Sequence, residues 1–186
     1  MDKKTLRRYY LKQRQSLSLE QWQSNSQQLC ENLTQTSLFQ SSKTILSYFS
    51  IRQEPDLSSL LSFDKSWGFS RCVEQTLVWH LWQLGDPLQT GAYGIQEPHP
   101  DCPLISPQQI ELILVPAVAC DRQGYRLGYG GGYYDRLFAE PLWYEIPRIG
   151  IIFESAYLAE IPIDPWDIPL SGVCTDKGFY TPEGTI

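Results

Sequence analysis

The chain has 186 residues, which points to one compact unit, and at that length roughly 70% of the unfolded surface can be buried without disulfides or structural metals. With 42% apolar, 13% aromatic and 19% charged residues, the composition excludes a disordered or fibrous protein. The net charge of −6 hides a basic end: the first 14 residues carry Lys3, Lys4, Arg7, Arg8, Lys12 and Arg14 against Asp2 alone, a local +5, leaving −11 for the rest, a balance that argues against binding nucleic acid.

In chain order, the basic end reads as a helix with Leu6 and Tyr10 on one face and Lys4, Arg7 and Arg8 beside it, a face that can receive an anion. Ser18 with Gln21 reads as a capping box, opening a second amphipathic helix through Trp22, Leu29 and Leu33. Residues 44–49 (TILSYF) read as a strand, followed by the polar loop 50–56 and a short helix beginning near Asp56, itself a candidate N-cap. Residues 67–73 and 76–82 read as further strands. The stretch 85–107 is dense in chain breakers and too long for an ordinary connection. Residues 111–116 (ELILVP) form an uninterrupted apolar run, the pattern of a strand covered on both faces of a parallel sheet.

A glycine-rich segment follows, then YYDRLF, which can open a helix, and apolar strands at 146–153 and 172–175. Strands alternating with helices predict a three-layer α/β/α, Rossmann-like single domain around a mainly parallel sheet. In such sheets the ligand crevice lies past the carboxyl ends of the strands. Loops 50–56 and 117–132 fall there, and function is to be sought where they meet.

No run of 18 apolar residues occurs, and the first residues lack the apolar centre and cleavage site of a secretory signal. Five widely spaced cysteines and two histidines, His80 and His99, match neither a disulfide framework nor a zinc site. These features read as a cytoplasmic protein with reduced, mostly buried thiols and no membrane contact.

Most informative is residues 115–138, VPAVACDRQGYRLGYGGGYYDRLF. Glycines at 124, 128, 130, 131 and 132 let backbone N–H groups approach an anion closely and adopt left-handed conformations. A P-loop is ruled out by the lack of GxxxxGK[ST], and GYGGGY ends in Tyr where a dinucleotide fingerprint needs Gly. Asp135 is a candidate ligand for Mg2+, which takes one or two carboxylates together with phosphate oxygens and water. On the residues alone a tight turn with an Asp135–Arg136 pair remains open, as does a sugar-phosphate isomerase or transferase that uses the loop for a monophosphate.

The ordered motifs LVPAVACDRQGYRLGYGGGYYDR, KKTLRRYYLKQRQSLS, SYFSIRQEPD, GAYGIQEP and DIPLSGVCTD resemble the 5-formyltetrahydrofolate cyclo-ligase family over nearly the whole chain. That resemblance implies ATP- and Mg2+-dependent closure of 5-formyltetrahydrofolate to 5,10-methenyltetrahydrofolate, with release of ADP and phosphate. It implies ATP contacts from Lys3, Lys4, Thr5, Leu6 and Arg7, and from Arg126, Leu127, Gly128, Tyr129, Gly130, Gly131, Gly132, Tyr133 and Tyr134. Folate would be met by Ile51, Asp56 and residues 129–133, with Asp56 accepting from the aminopyrimidine edge. Asp135 would hold Mg2+, and Arg126, Tyr133 and Asp135 would carry the chemistry. Glu54, Trp79, Trp82, Tyr93 and Glu97 are further pocket candidates. At Ser171 many members carry a metal-binding acid, so one fewer carboxylate is expected here, and a non-catalytic folate or nucleotide-binding regulator that has lost efficient metal binding stays open as an alternative. The basic terminus is expected to be tied down only when nucleotide arrives, and the protein to act as a monomer on small molecules.

Overall fold

The computed structural model describes residues 1–182. Helix α1 (Lys3–Gln15) starts at Asp2, whose carboxylate accepts the Thr5 N–H at 2.7 Å. Helix α2 (Leu19–Thr34) opens on the expected capping box, Ser18 and Gln21 exchanging hydrogen bonds of 3.1 and 3.0 Å, and α3 (Ser37–Ser41) follows. The strands are β1 (Thr44–Ser47), β2 (Ser66–Val73), β3 (Thr76–Leu81), β4 (Leu88–Thr90), β5 (Gln96–Pro98), β6 (Leu112–Pro116), β7 (Ala119–Asp121), β8 (Arg126–Leu127), β9 (Arg148–Ile151), β10 (Tyr157–Leu158), β11 (Gly172–Cys174) and β12 (Phe179–Tyr180). Helices α4 (Tyr133–Ala139) and α5 (Pro141–Tyr144) lie between β8 and β9.

Among the described residues seven strands make the central sheet in the order β12-β11-β9-β6-β1-β2-β3. The inner pairs are parallel and both edges, β12 and β3, antiparallel. Its side chains alternate between two cores. Ile45, Leu112, Leu114, Ile149 and Ile151 face a layer with Leu29, Leu33 and Phe39 from α2 and α3. Leu46, Ile113 and Val115 face the opposite layer with Leu6 of α1, Leu137 and Phe138 of α4 and Trp143 of α5. Covering both faces is what a continuous apolar run such as ILV requires, so the three-layer α/β/α expectation is met. Gly150 allows close layering, since a Cβ there would stand 2.6 Å from Leu170 Cδ1 and 2.9 Å from Cys120 Sγ.

From β1 the chain passes outward to β2 and β3, then returns to β6 on the other side of β1. The reversal puts a topological switch point between β1 and β6, the place where open α/β sheets form a crevice.

Some expectations need correction. The short helix after the first strand is a 3-10 turn, Ser58–Ser62, for which Asp56 receives the Ser58 N–H at 3.0 Å. The loop 117–132 contains the β7–β8 hairpin, which β10 extends into a three-stranded sheet. Its turn is organised by Asp121, 1% exposed, whose carboxylate accepts the N–H groups of Gln123, Tyr125 and Ile161 at 3.0, 2.9 and 3.0 Å. The breaker-rich stretch folds as a β4–β5 hairpin, with Tyr93 in the left-handed region at φ 63°. Four of the five free cysteines are buried.

Candidate active site

Past the carboxyl ends of β1 and β6 the fold leaves a cavity of about 750 Å³, within the usual size of small-molecule sites. Tyr48, Phe49, Phe69 and Leu77 give it an apolar wall. Lys3, Arg7 and Arg126 supply cations, and the whole segment from Arg126 to Asp135 lines it. The two loops singled out in the sequence do meet: Arg14 of α1 donates to both the Arg52 and Ala117 carbonyls, at 3.0 and 3.2 Å, and Tyr129 reaches Glu54 at 2.8 Å.

The glycine segment is shaped by two positive-φ residues, Gly130 at 102° and Gly132 at 69°, the latter standing immediately before α4. Gly130 faces the Arg7 guanidinium, whose Nε donates to the Gly128 carbonyl at 2.7 Å. Arg126 crosses the base of the loop. Its Nη2 donates to Asp135 Oδ1 at 2.6 Å, and its guanidinium lies over the Tyr134 and Phe138 rings, 5.5 and 5.7 Å from their centroids. Asp135 therefore pairs across the loop with Arg126, while Arg136 instead donates to the Gln75 carbonyl and covers the Tyr133 ring.

The buried carboxylate of the cavity wall is Glu54, 2% exposed, two residues before the acid singled out for folate. Burial pushes its pKa up, against the opposing pull of Arg14, the Ile51 N–H, the Tyr129 hydroxyl and Arg52. Asp56 does not line the cavity; its two oxygens accept the Ser58 N–H and hydroxyl at 3.0 and 2.9 Å, the local capping arrangement that competes with a ligand role at any such residue. Ile51 lines the cavity and its N–H donates to Glu54 Oε2 at 3.1 Å.

At the N-terminus only part of the expected stretch reaches the cavity. Lys3 and Arg7 line it, Leu6 is buried in the core under α1, and Lys4 and Thr5 are off the wall. Lys3 is already tied down: its ammonium bridges Asp164 and Asp167 at 2.6 and 2.5 Å. Partial burial works against its charge, yet the two carboxylates hold its pKa above the usual lysine value. Lys3 and Arg7 thus have protein partners of their own, beside any contacts that nucleotide would add. Ser171 is exposed and pairs with the Arg148 backbone at 3.1 Å, outside the cavity wall; the acids that line the wall nearby are Asp164 and Asp167.

Tyr133 lies at the rim, its hydroxyl 3.4 Å from that of Tyr93 and 3.3 Å from the Glu74 carbonyl. Hydrogen bonding to Tyr93 pushes its pKa up to about 12, so it stays a neutral hydroxyl at physiological pH. Trp79 and Trp82 are core residues off the wall, and Glu97 is spent on the Cys72 N–H at 2.8 Å. Sequence reasoning missed Asp164, Trp166 and Asp167, which belong to a stretch without helical or strand periodicity. The one signal there was two acids three residues apart in a chain segment rich in proline.

Comparison with known proteins places these features among relatives. The family described as the 5-formyltetrahydrofolate cyclo-ligase family matches residues 1–176. The 5-formyltetrahydrofolate cyclo-ligase of Escherichia coli (strain K12) is 33% identical over 87 residues, 46% of this chain and 48% of that protein, so the match spans about half of that relative's length. The corresponding protein of Mycolicibacterium smegmatis is 30% identical over 148 residues, covering 74% of this chain and 75% of its own. The solved structure of Aquifex aeolicus 5,10-methenyltetrahydrofolate synthetase superposes with a TM-score of 0.87 at 30% identity, covering 100% of this chain and 95% of that one. The synthetase structure from Mycoplasma pneumoniae shares the fold at a TM-score of 0.77 and 24% identity, covering 95% of this chain and 99% of that one.

Proposed function

The chain belongs to the 5-formyltetrahydrofolate cyclo-ligase family, and from that premise we propose that it closes 5-formyltetrahydrofolate to 5,10-methenyltetrahydrofolate with ATP, releasing ADP and phosphate. The observation that carries the reading is a cavity whose wall holds both the Arg126–Asp135 segment and the Glu54 carboxylate, at the β1–β6 switch point. One side is cationic and rich in approachable backbone, suited to a triphosphate, while the other offers aromatic walls and one buried acceptor, suited to a pterin.

In the reaction the formyl oxygen attacks the γ-phosphorus as the bond to ADP breaks. Nitrogen 10 then attacks the activated formyl carbon, phosphate leaves with the former formyl oxygen, and nitrogen 10 gives up its proton. Phosphoryl transfer asks for positioning and charge neutralisation. Arg7 and Arg126 would neutralise phosphate charge, with Lys3 joining them on leaving Asp164 and Asp167. Tyr133, a hydroxyl that stays protonated, would orient the formyl group. Glu54 would hold the pterin: its two oxygens already accept one donor each, leaving a lone pair on each for the 2-amino and N3 hydrogens.

Among the described residues no three His, Cys, Asp or Glu side chains gather into a cation cage. Of the part-exposed carboxylates on the wall, Asp135, beside the glycine loop, fits Mg2+, which usually arrives with phosphate oxygens and keeps its waters. When bound, the ion would spread the phosphate charge. Asp135→Asn should raise the Mg2+ concentration needed for half-maximal rate roughly five- to tenfold, about 1 kcal/mol or slightly more. An unchanged metal titration would leave Asp135 as a partner of Arg126 alone.

We read the chain as one domain, monomeric and cytoplasmic, in keeping with its unpaired cysteines; no helix among the described residues is long and apolar enough to cross a membrane. The decisive experiment mixes protein, 5-formyltetrahydrofolate, ATP and Mg2+ and follows the methenyl chromophore. ATP-dependent product is expected. Turnover of a sugar phosphate without ATP would reject the reading, and so would saturable binding with no product at any Mg2+ concentration.

A further inference from the structure

Arg14 is a buried cation behind the cavity wall that the reading above leaves without a task. It is 8% exposed in the last turn of α1 and lies between three segments. Its Nε and Nη1 donate to the Arg52 and Ala117 carbonyls, and its Nη2 donates to the Tyr129 hydroxyl. Two guanidinium groups, those of Arg14 and Arg52, lie over the Tyr129 ring, 5.7 and 5.5 Å from its centroid. Arg52 and Gln53 both sit at positive φ, 49° and 55°, a turn no glycine relieves. That turn is fastened to α2 and its approach by Gln53 Nε2 on the Leu17 carbonyl and Trp22 Nε1 on the Glu54 carbonyl, at 3.2 and 2.8 Å.

The direction of these hydrogen bonds follows from the donor inventory. A guanidinium has only donors, so the Tyr129 oxygen must accept from Arg14, and its single hydrogen is left for Glu54 Oε1. Glu54 Oε2 is met by another obligate donor, the Ile51 N–H. Both carboxyl oxygens are thus addressed by donors, a setting that favours the form carrying no proton.

We propose that Arg14 is a positioning residue which, acting through Tyr129, keeps Glu54 ionised and aimed at the donor edge of the pterin. The proposal rests on the folate reading of the cavity. Ionisation is not free there: burial opposes it, and the groups that face Glu54 are Arg14 from α1, Arg52 and the Ile51 N–H from the turn, Tyr129 from the glycine loop, Tyr48 at the end of β1 and Tyr134 from α4. Of these, Arg14 and Arg52 alone are cations, and Arg14 alone holds the hydroxyl that reaches the carboxylate.

The test follows kcat/KM for 5-formyltetrahydrofolate against pH in Arg14→Gln and Tyr129→Phe, together with calorimetric binding of the same folate without ATP over the same pH range. Removing a cation raises the pKa of a carboxyl, so protonation, and with it loss of folate binding, should set in at higher pH. The acid limb is expected to move up by about one pH unit in Arg14→Gln and less in Tyr129→Phe. At neutral pH the folate KM should rise roughly tenfold, with the ATP KM within about twofold. Arg14→Lys, which keeps the charge, should restore part of the limb. An acid limb unmoved in Tyr129→Phe, a variant that loses one oxygen and keeps the ring, would overturn the proposal, as would equal losses for ATP and folate. Wild-type protein that neither binds nor converts the folate would instead overturn the reading beneath it, and this proposal with it.

Discussion

Glu54→Gln is expected to lower kcat/KM for 5-formyltetrahydrofolate roughly 100-fold while leaving the ATP KM within about twofold. The size follows from two charge-assisted hydrogen bonds to the pterin, each worth about 1.5–3 kcal/mol, only part of which a neutral amide can replace. Glutamine keeps the shape but swaps one acceptor for an NH2 group. That group must face the Ile51 N–H or the pterin's own donors, which cannot accept it, or the Tyr129 hydroxyl, which can do so only by turning its own hydrogen away. Stability should move the other way. A buried acid whose folded pKa is raised contributes stability below its unfolded pKa, and that contribution is lost as pH rises through the folded value. At neutral pH the wild-type carboxylate is therefore a cost of folding, so Glu54→Gln should melt no lower than wild type there, and the gap should close on acidification. Steady-state kinetics with each substrate varied, beside thermal melts at pH 5 and pH 7.5, check both halves. A variant that unfolds earlier at neutral pH and loses both substrates equally would make Glu54 a structural residue.

That Glu54 and not Asp56 faces the cavity shows what the sequence could and could not convey. Apolar alternation inside a parallel sheet is a local signal, and the run at 112–115 announced its strand correctly because each residue meets one of two cores. Position 54 against position 56 is decided by a turn with two consecutive left-handed residues, Arg52 and Gln53, types that do not advertise positive φ as Gly or Asn does. Helix α2 and the α1–α2 junction hold that turn through Trp22 and Leu17, contacts across more than thirty residues that no local pattern encodes. Asp164 and Asp167 were illegible for a similar reason, since what brings them to the cavity is Lys3, 161 and 164 residues away in the chain. By contrast the Arg126–Asp135 segment was legible because its glycines, its cation and its acid lie within ten residues, and the pairing of Arg126 with Asp135 closes a short loop. The β7–β8 hairpin just before it rests on Asp121 followed by Gly124, ordinary turn chemistry that the glycine run beyond it masks in the sequence.

Arg126→Ala should weaken ATP by about one to two decades and 5-formyltetrahydrofolate by no more than about threefold. The Arg126 side chain is 6% exposed, and its Nε lies buried without a protein partner among the described atoms. A charged hydrogen bond to a phosphate oxygen is worth about 1.5–3 kcal/mol, which sets the range. The alanine variant also strips Asp135 of its counter-ion and leaves the Tyr134 and Phe138 rings without the guanidinium that covers them. Melting should accordingly drop by a few degrees, in line with about 1 kcal/mol in a protein of this size. Arg126→Lys separates the two contributions. A lysine supplies the charge as a single point and cannot lie flat on the rings, so it should recover part of the ATP affinity with little of the stability. If instead the alanine variant leaves the ATP KM unchanged and only raises the Mg2+ requirement as Asp135→Asn does, Arg126 serves the carboxylate and the phosphates are neutralised by Arg7 and Lys3 from the N-terminal helix. Equal losses for ATP and folate would show that the glycine segment collapses without it, and the division of the cavity into a phosphate side and a pterin side would fall.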